Sequence, residues 1–434
     1  MTACKHLCHH PLPMTLLAYL LLGMLYSVSL PILEAPDEMQ HYSYVRYLAT
    51  EHRLPPWDAA SPAGQESSQP PLYYATAALA TGWVDDDPAT SLQPNLYYGN
   101  YQAAGTVNDN KNVFLHTDAE TFPWRGAVLA IHVARLVNLF FGSLTVVAAY
   151  LLAREIFREL PDLAVGTAAL VAFNPQFLFI SAAVNNDAAA AAFSTVALWL
   201  LVCGLRRGYT LCRAILLGLS VGLAALSKVS ALALLPLAVA ALALDGWRTR
   251  RWAEVCRTAV MVVLVAAAVA GWWYIHNAVV YSDPFGLKTH YETWWAHEEP
   301  LSPAQLWAQL SGVELSFWAA FGMGNVHLPG VVYTTLRLLV RLAGVGLLAW
   351  GVRTWRAGHR PGARAWSLAL LALWVLVVFA ALLRWMQLVE AALGRLLFPA
   401  VGAIAVLLVW GLAQFVPRRF AAWPGLAFAG GLLV

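Results

Sequence analysis

The chain has 434 residues, of which 60% are hydrophobic and only 12% are charged, and its formal net charge is +3. Soluble domains carry about twice this share of charged residues, so the composition excludes an ordinary soluble protein and indicates a helical membrane protein. The small net charge is the sum of basic and acidic loops. It gives no support to a nucleic-acid partner.

Long apolar runs recur along the chain, which is the pattern of a polytopic helical protein. The first run, Met14 to Leu33, is about 20 residues long, enough to cross the bilayer, and no small-residue cleavage motif follows it. It is therefore predicted to be a retained helix. The other runs lie at roughly 128–152, 163–182, 188–205, 212–226, 229–244, 258–280, 331–351, 366–383, 396–416 and 421 onward. This makes about eleven spans, and the short last run predicts that the C-terminus is truncated.

Lysine and arginine are concentrated in alternate loops, and basic loops stay in the cytoplasm. Arg206, Arg207 and Arg213 mark one such loop, whereas the two long loops at 34–126 and 281–330 are poor in these residues. The long loops are therefore predicted to face outward from the plasma (inner) membrane, with the N-terminus in the cytoplasm. All five cysteines lie in or beside the predicted inner loops, so no disulfide framework is expected.

The first long loop begins with LEAPDEMQHYSYVRYLATEHRLPP. Pro36 suits the first turn of a helix and the LPP at 54–56 would stop it, so a short amphipathic helix on the membrane surface is predicted. Asp37 and His41 are four residues apart on one face of this helix, and Asp37 and Glu38 lie where the helix dipole favours ionised carboxylates. Such carboxylates suit a catalytic base, or they simply begin a surface helix.

Three further polar groups lie at the predicted outer ends of spans, where charge is costly and usually functional. Asp187 follows two asparagines, Lys228 is the only charge between two short apolar segments, and Arg395 follows an outer turn. Their structural alternatives are a helix cap, a snorkelling lysine and an ion pair with Glu390. Together with Asp37, these groups suit a base that activates an acceptor hydroxyl and cations that stabilise a departing phosphate.

Several segments resemble those of GT-C membrane glycosyltransferases, in the same order along nearly the whole chain. They are APDEMQHYSYVRYLATEHRLP, QPPLYY, NPQFLFISAAVNNDAAAA, LSKVSALALLP, WWYIHNAVVYSDPFG, SFWAAFGMGN and GRLLFPAVGAIAVLLVWGL. The resemblance is to the branch that contains protein O-mannosyltransferases and aminoarabinose transferases, which depend on a phospholipid carrier. The second outer motif, NND, departs from the better-known context of a single Asp.

The resemblance implies an all-α GT-C fold, with residues 1–434 as one transmembrane domain and juxtamembrane helices in the loop at 34–126. It implies inverting transfer of a sugar from a polyprenyl-phosphate donor to a hydroxyl of a protein, lipid or glycan. Asp37 is then the base, and Asp187 is the second acidic residue of the site. Glu38 and His41 match a D-E-x-x-H pattern, with Glu38 catalytic and His41 in substrate binding. Lys228 and Arg395 match positions that contact the carrier phosphate, and Tyr74 of QPPLYY is also predicted to bind substrate.

Two alternatives remain open from the sequence. Asp37, Glu38 and Asp187 offer oxygen ligands to a divalent cation such as Mg²⁺ or Mn²⁺, although the mannosyltransferase-like branch need not use one. A transporter or flippase of lipid-linked saccharides is the alternative function. Such proteins usually show internal repeats and polar groups at the membrane midplane, and neither is evident here.

Overall fold

The structure is a computed structural model that describes residues 11–58, 61–85, 93–95, 97–98, 110–293, 295–358, 362–417 and 423–432. Most of these residues are helical. The helices are α1 (Pro11–Ser29), α2 (Glu38–Glu51), α3 (Leu72–Thr81), α4 (Gly126–Ile156), α5 (Asp162–Ala172), α6 (Pro175–Ser181), α7 (Asp187–Arg207), α8 (Leu211–Ala225), α9 (Leu234–Thr249), α10 (Trp252–Ala266), α11 (Trp272–Tyr281), α12 (Lys288–Tyr291), α13 (Pro303–Trp318), α14 (Gly330–Arg356), α15 (Ala363–Leu388), α16 (Val401–Leu412) and α17 (Trp423–Gly431).

Shorter elements complete the described part of the chain. Strands β1 and β2 pair antiparallel in the first long loop, and a π-helical turn joins α10 to α11. The strands are β1 (Gln93–Pro94) and β2 (Phe114–Leu115), the π turn is Ala267–Gly271, and 3₁₀ segments lie at Gly64–Ser68, Asp118–Glu120, Val229–Ala233, Gly394–Ala400 and Ala413–Phe415.

Helices cover most of each predicted apolar run that the structure describes, although α1 ends at Ser29 and not at Leu33, and the count of eleven spans is not confirmed. Eight described helical segments are long and apolar enough to cross a membrane, or nine if the bent pair α5 and α6 is one span. That pair bends by 61° because Asn174 caps α6 and Pro175 begins it. Helix α8 has only 15 residues, which is about 22 Å of helix and shorter than the hydrocarbon core.

Burial separates central from peripheral spans. The most apolar window of α7 is 83% buried and that of the segment Gly394–Phe415 is 78% buried, whereas those of α1 and α14 are only 22% and 17% buried. The peripheral helices expose large apolar side chains such as Leu348. In water such a surface would be unfavourable, and in a bilayer it contacts acyl chains. The chain is therefore an integral membrane protein.

Helix α2 differs from its prediction at its first residue. It begins at Glu38, so Asp37 is the N-cap residue and Pro36 lies outside the first turn. Asp37 has left-handed backbone angles (φ 62°) and its side chain makes no capping hydrogen bond. The carboxylate of Asp37 is thus directed away from the helix backbone. The predicted stop is confirmed, because α2 ends at Glu51 shortly before Pro55.

Candidate active site

Segments that are distant in sequence meet at one end of the helical bundle. The first long loop contributes the start of α2, the 3₁₀ turn Gly64–Ser68 and α3. The bundle contributes Asp187 at the start of α7. It also contributes Lys228, just before the 3₁₀ segment Val229–Ala233, and Arg395 in the 3₁₀ segment Gly394–Ala400. The site therefore forms where a surface loop covers the ends of the transmembrane helices.

Two carboxylates and two cations form a connected network in this site. Arg395 donates a hydrogen bond to Asp37 Oδ2, and its Nη1 lies 3.7 Å from Asp187 Oδ2. Lys228 Nζ donates to Asp187 Oδ1 on the other side. Asp187 is almost fully buried (1% exposed), whereas the side chain of Asp37 is 30% exposed. Asp37 is thus the carboxylate of this network that a bound molecule can reach.

Close packing holds Arg395 in place. A Cβ on Gly394 would lie 2.1 Å from the backbone nitrogen of Phe317, so only glycine allows this approach to α13. The Gly394 N–H also donates to Ser316 Oγ at 2.8 Å. Arg395 is 6% exposed, and its Nε is buried without a hydrogen-bond partner among the described residues. The guanidinium therefore keeps one N–H that no described residue satisfies.

The asparagines before Asp187 shape the turn that presents it. The backbone N–H of Asp187 donates to Asn185 Oδ1 at 2.9 Å. Asn186 Nδ2 donates to Gln69 Oε1 at 3.1 Å and to the carbonyl of Ser227 at 3.0 Å. Asn186 thus joins the first loop to the residue immediately before Lys228. The NND motif holds the backbone around the acidic residue.

A second group of polar side chains lies behind Asp37. His41 Nδ1 is 2.8 Å from the hydroxyl of Tyr74 and 3.6 Å from Glu66 Oε2. Tyr74 stacks on Tyr44 with ring centroids 4.0 Å apart. His41 and Glu66 are both buried, so Tyr74 and the aromatic packing fix the imidazole next to the network.

Local charges set the protonation of these groups. Burial alone would raise the pKa of Asp37, but the positive charge of Arg395, helped by that of Lys228, outweighs it and holds the pKa below its usual value. Burial lowers the pKa of His41 to about 3. Burial, and then the charge of Asp37, raises the pKa of Glu66 to about 8. At neutral pH, Asp37 is ionised while His41 and Glu66 are uncharged.

Glu38 is next to Asp37 in sequence but belongs to a different network. Its two carboxylate oxygens accept hydrogen bonds of 2.8 Å from Nε and Nη2 of Arg135, and Oε1 also accepts the Val184 N–H. Arg135 donates in addition to the carbonyls of Ser27, Leu30 and Pro31. Both side chains of the pair are fully buried. This pair ties the end of α1, the start of α2 and α4 together.

The structure thus brings six predicted site residues together and places Glu38 in the adjacent pair. The six are Asp37, His41, Tyr74, Asp187, Lys228 and Arg395. Arg395 pairs with the two aspartates rather than with Glu390, to which no described cation is paired. Sequence reasoning missed Glu66, for which the sequence carries no signal. It also missed Arg135, although a charge inside the apolar run at 128–152 is such a signal.

The ligand set for a divalent cation differs from the predicted one. Ligand atoms of Asp37, His41 and Glu66 lie within 4.8 Å of one another, a spacing that one ion could bridge. The predicted ligands were Asp37, Glu38 and Asp187. Of these, Glu38 forms an ion pair with Arg135, and Asp187 forms ion pairs with Lys228 and Arg395. Asp37 already has a cationic partner, so any ion would compete with Arg395 for this carboxylate.

The fold is that of GT-C membrane glycosyltransferases. ArnT from Cupriavidus metallidurans, in a crystal structure bound to undecaprenyl phosphate, matches with a TM-score of 0.54 and 15% identity over 97% of this chain and 70% of that one. An Archaeoglobus fulgidus oligosaccharyltransferase, crystallised with Zn and sulfate, has a TM-score of 0.49 and 16% identity over 95% of this chain and 52% of that one. The predicted fold class is confirmed by the ArnT match.

The sequence supplies a second comparison. Residues 128–275 match the family model described as dolichyl-phosphate-mannose-protein mannosyltransferase. This range includes Arg135, Asp187 and Lys228, so part of the site lies within the matched region. No curated protein sequence matches the chain significantly. The predicted resemblance to membrane glycosyltransferases is confirmed, and the chain is similar to enzymes that transfer sugars.

Proposed function

We propose that the protein transfers a sugar from a polyprenyl-phosphate carrier to an acceptor hydroxyl, with inversion at the anomeric carbon. The observation that carries this proposal is the arrangement of Asp37, Asp187, Lys228 and Arg395 at one end of the bundle. An exposed carboxylate beside two cations suits a reaction in which a proton is removed and a phosphate departs. ArnT was crystallised with a carrier of this class.

In the proposed reaction, Asp37 accepts the proton of the acceptor hydroxyl. The acceptor oxygen attacks the anomeric carbon, and the bond from that carbon to the phosphate oxygen breaks. The electron pair of this bond stays on the phosphate, which departs as polyprenyl phosphate toward Lys228 and Arg395. Buried Asp187 holds the two cations in place.

Arg395 links donor binding to the strength of the base. Without donor, Arg395 pairs with Asp37, and this pairing keeps the pKa of Asp37 low and its basicity weak. A donor phosphate competes with Asp37 for the guanidinium because both are oxyanions. Once the phosphate takes Arg395, Asp37 is released and becomes the stronger base. Neutral His41, oriented by Tyr74, lies beside Asp37.

The proposed setting is the inner membrane, with the N-terminus in the cytoplasm and the site at the outer face. The distribution of lysine and arginine in the loops supports this orientation. The acceptor is a hydroxyl of a protein, lipid or glycan that reaches the site from outside. The partly exposed Asp37 lies where such an acceptor would enter.

The proposal is tested with purified protein and a panel of polyprenyl-phosphate sugars. We expect the release of free polyprenyl phosphate together with glycosylated acceptor, and the product should have the inverted configuration. Retention of configuration would contradict direct displacement by the acceptor. Movement of an intact lipid-linked sugar across vesicles without any transfer would favour a transporter.

Glu66 should make the stability of the protein depend on pH. Its pKa is about 8 in the folded protein and 4.5 ordinarily, so between these values the folded protein holds a proton that the unfolded chain has released. The unfolding free energy should then fall by up to about 1.4 kcal/mol per pH unit as pH rises through this window. In Glu66→Gln the decline should be smaller, as measured by thermal unfolding in detergent across a pH series.

Glu51→Gln is the matched control for this prediction. Glu51 is an exposed carboxylate at the end of α2. Its substitution should leave the decline with pH unchanged. Equal pH dependence of unfolding in wild type and Glu66→Gln would show that Glu66 does not hold the proton.

We propose further that Glu38 positions α2 through Arg135 instead of taking part in the chemistry. Glu38→Ala leaves a fully buried guanidinium without its counter-ion and leaves the Val184 N–H without an acceptor. Removing one partner of such a pair should lower the unfolding free energy by about 3 to 5 kcal/mol. Thermal unfolding measures the loss.

Glu314→Ala provides the comparison, because Glu314 pairs with Arg337 in a half-exposed salt bridge of 2.9 Å. Its removal should change the stability by less than about 1 kcal/mol. The isosteric variant Glu38→Gln separates the two roles of Glu38. If that variant is as stable as wild type yet has lost turnover, Glu38 acts in the chemistry and the positioning role is wrong.

A further inference from the structure

A cavity of about 410 Å³ lies at the end of the bundle opposite the candidate active site. Helix α7 begins at Asp187 in that site, and Arg206 at its other end lines the cavity. The two positions are about 28 Å apart along the helix axis. The cavity therefore belongs to a different region of the molecule. Its other charged and polar lining residues include Tyr209, Asp245, Thr249, Arg251 and Glu254.

Asp245 is the unusual residue of this cavity. It is only 8% exposed, and none of the described residues donates a hydrogen bond to its carboxylate or forms an ion pair with it. Arg248 lies about one turn further along the same helix, and its guanidinium is over the ring of Trp366 at 5.2 Å and is not paired with Asp245. Asp245 lines the cavity, so a ligand in the cavity that carries a positive charge or a hydrogen-bond donor would supply the partner that the protein does not.

Two arginines supply the opposite charge. Arg206 is anchored by a 3.0 Å hydrogen bond to the carbonyl of Ile156 and by a loose ion pair of 3.7 Å from its Nε to Glu155, and its side chain is 13% exposed. The side chain of Arg251 is 72% exposed and only loosely paired with Glu254 at 3.8 Å, so it can turn toward a ligand. The charged lining residues, two arginines and two acids, sum to zero. A simple anion would meet two carboxylates, whereas a zwitterion can match both signs.

The position of the cavity favours a lipid as the source of the zwitterion. It opens between the end of α9 and the start of α10, where Trp247 and Trp252 are exposed at 58% and 45%. Exposed tryptophans are enriched at the boundary between hydrocarbon and water, where lipid headgroups lie. The volume falls within the range of about 300 to 1,000 Å³ for small-molecule sites.

We propose that this cavity binds the headgroup of an ethanolamine phospholipid. The primary ammonium donates to Asp245, and the phosphate accepts from Arg251 and Arg206. A choline headgroup has no N–H to donate, so it leaves the Asp245 carboxylate without a hydrogen bond. A preference for one of these two zwitterionic headgroups distinguishes a specific binding site from general contact with lipid.

The test compares short-chain phosphatidylethanolamine with short-chain phosphatidylcholine on the detergent-purified full chain, with binding followed by native mass spectrometry. We expect wild type to bind the ethanolamine lipid at least about tenfold more tightly, because hydrogen bonds to a charged group are being gained. Equal affinity for the two lipids would overturn the proposal. This comparison needs no variant, so a folding defect cannot obscure it.

A variant and a soluble competitor sharpen the test. Asp245→Asn should abolish the preference for the ethanolamine lipid, while Asp162→Asn, an exposed acid at the start of α5, should retain it. A preference that survives in Asp245→Asn would refute the role of Asp245. Free phosphoethanolamine should compete poorly because it lacks acyl chains. Competition as strong as that of the lipid would show a site for a soluble compound and would overturn the lipid assignment.

Discussion

Asp37→Asn should lower the turnover of sugar transfer by about 10² to 10⁴-fold, because it removes the base that accepts the acceptor proton. Asparagine is the informative replacement, since Asp37 has left-handed backbone angles (φ 62°) that Asn tolerates better than Ala. The variant keeps the shape of the side chain and a hydrogen-bond acceptor for Arg395. Turnover is measured as release of polyprenyl phosphate with saturating donor and acceptor.

Asp118→Asn is the control for this substitution. Asp118 is an exposed acid in the same long loop, in the 3₁₀ segment Asp118–Glu120, and it is not a member of the ion-pair network of Asp37, Asp187, Lys228 and Arg395. It should transfer sugar at the wild-type rate. Near wild-type turnover in Asp37→Asn would remove Asp37 from the role of base, even if the rest of the site is correct.

Arg395→Lys should lower turnover by about 10² to 10³-fold and also weaken donor binding. Lysine keeps the positive charge that buried Asp187 requires, so the fold is spared the cost of an unpaired carboxylate. A single ammonium cannot reproduce the planar guanidinium that contacts Asp37, Asp187 and the carbonyl of Pro36. The Nε donor, which has no partner among the described residues, is also lost.

Arg384→Lys is the matched control, because Arg384 is exposed before the turn that leads to Arg395 and, among the described residues, donates only to Gln387 at 3.1 Å. Its kcat and its KM for the donor should equal those of wild type. A normal KM for the donor in Arg395→Lys, with reduced kcat alone, would mean that Arg395 orients Asp37 without binding the carrier phosphate. Unchanged values of both would remove Arg395 from the reaction.

The two variants also test whether donor binding activates the base. If the donor phosphate draws Arg395 away from Asp37, donor binding should raise the pKa that limits kcat/KM for the acceptor, compared with free enzyme. In Arg395→Lys the weaker pairing should reduce this difference. The acid limb of the pH–rate profile, measured at low and at saturating donor, reports the limiting pKa without and with bound donor.

The spans show how far a sequence pattern extends and where it fails. Apolar length identified helices correctly, since a backbone in hydrocarbon must satisfy its own hydrogen bonds. It could not show that α5 and α6 bend by 61° at Asn174 and Pro175 or that α8 is too short to cross alone. The bend between α5 and α6 and the length of α8 depend on helix capping and on packing against neighbouring helices.

The candidate active site could likewise be predicted only in part from the sequence. Asp37, Asp187, Lys228 and Arg395 could be selected from the sequence because isolated charges at the ends of apolar runs are costly and therefore informative. Whether they meet is a matter of tertiary structure, because Asp37 and Arg395 are separated by 358 residues along the chain. The partners of Glu38 and the buried Glu66 were beyond the sequence for the same reason.

By itself, then, the sequence determined the membrane class, the helical segments and the side of the bundle on which the charges lie, since these follow from local hydropathy and charge. Only the tertiary structure decided which carboxylate is accessible and which is buried. It did so through close contacts such as that of Gly394 with Phe317, which places Arg395 between Asp37 and Asp187. Burial and ion pairing depend on atoms brought together from distant segments, and a linear pattern carries no record of them.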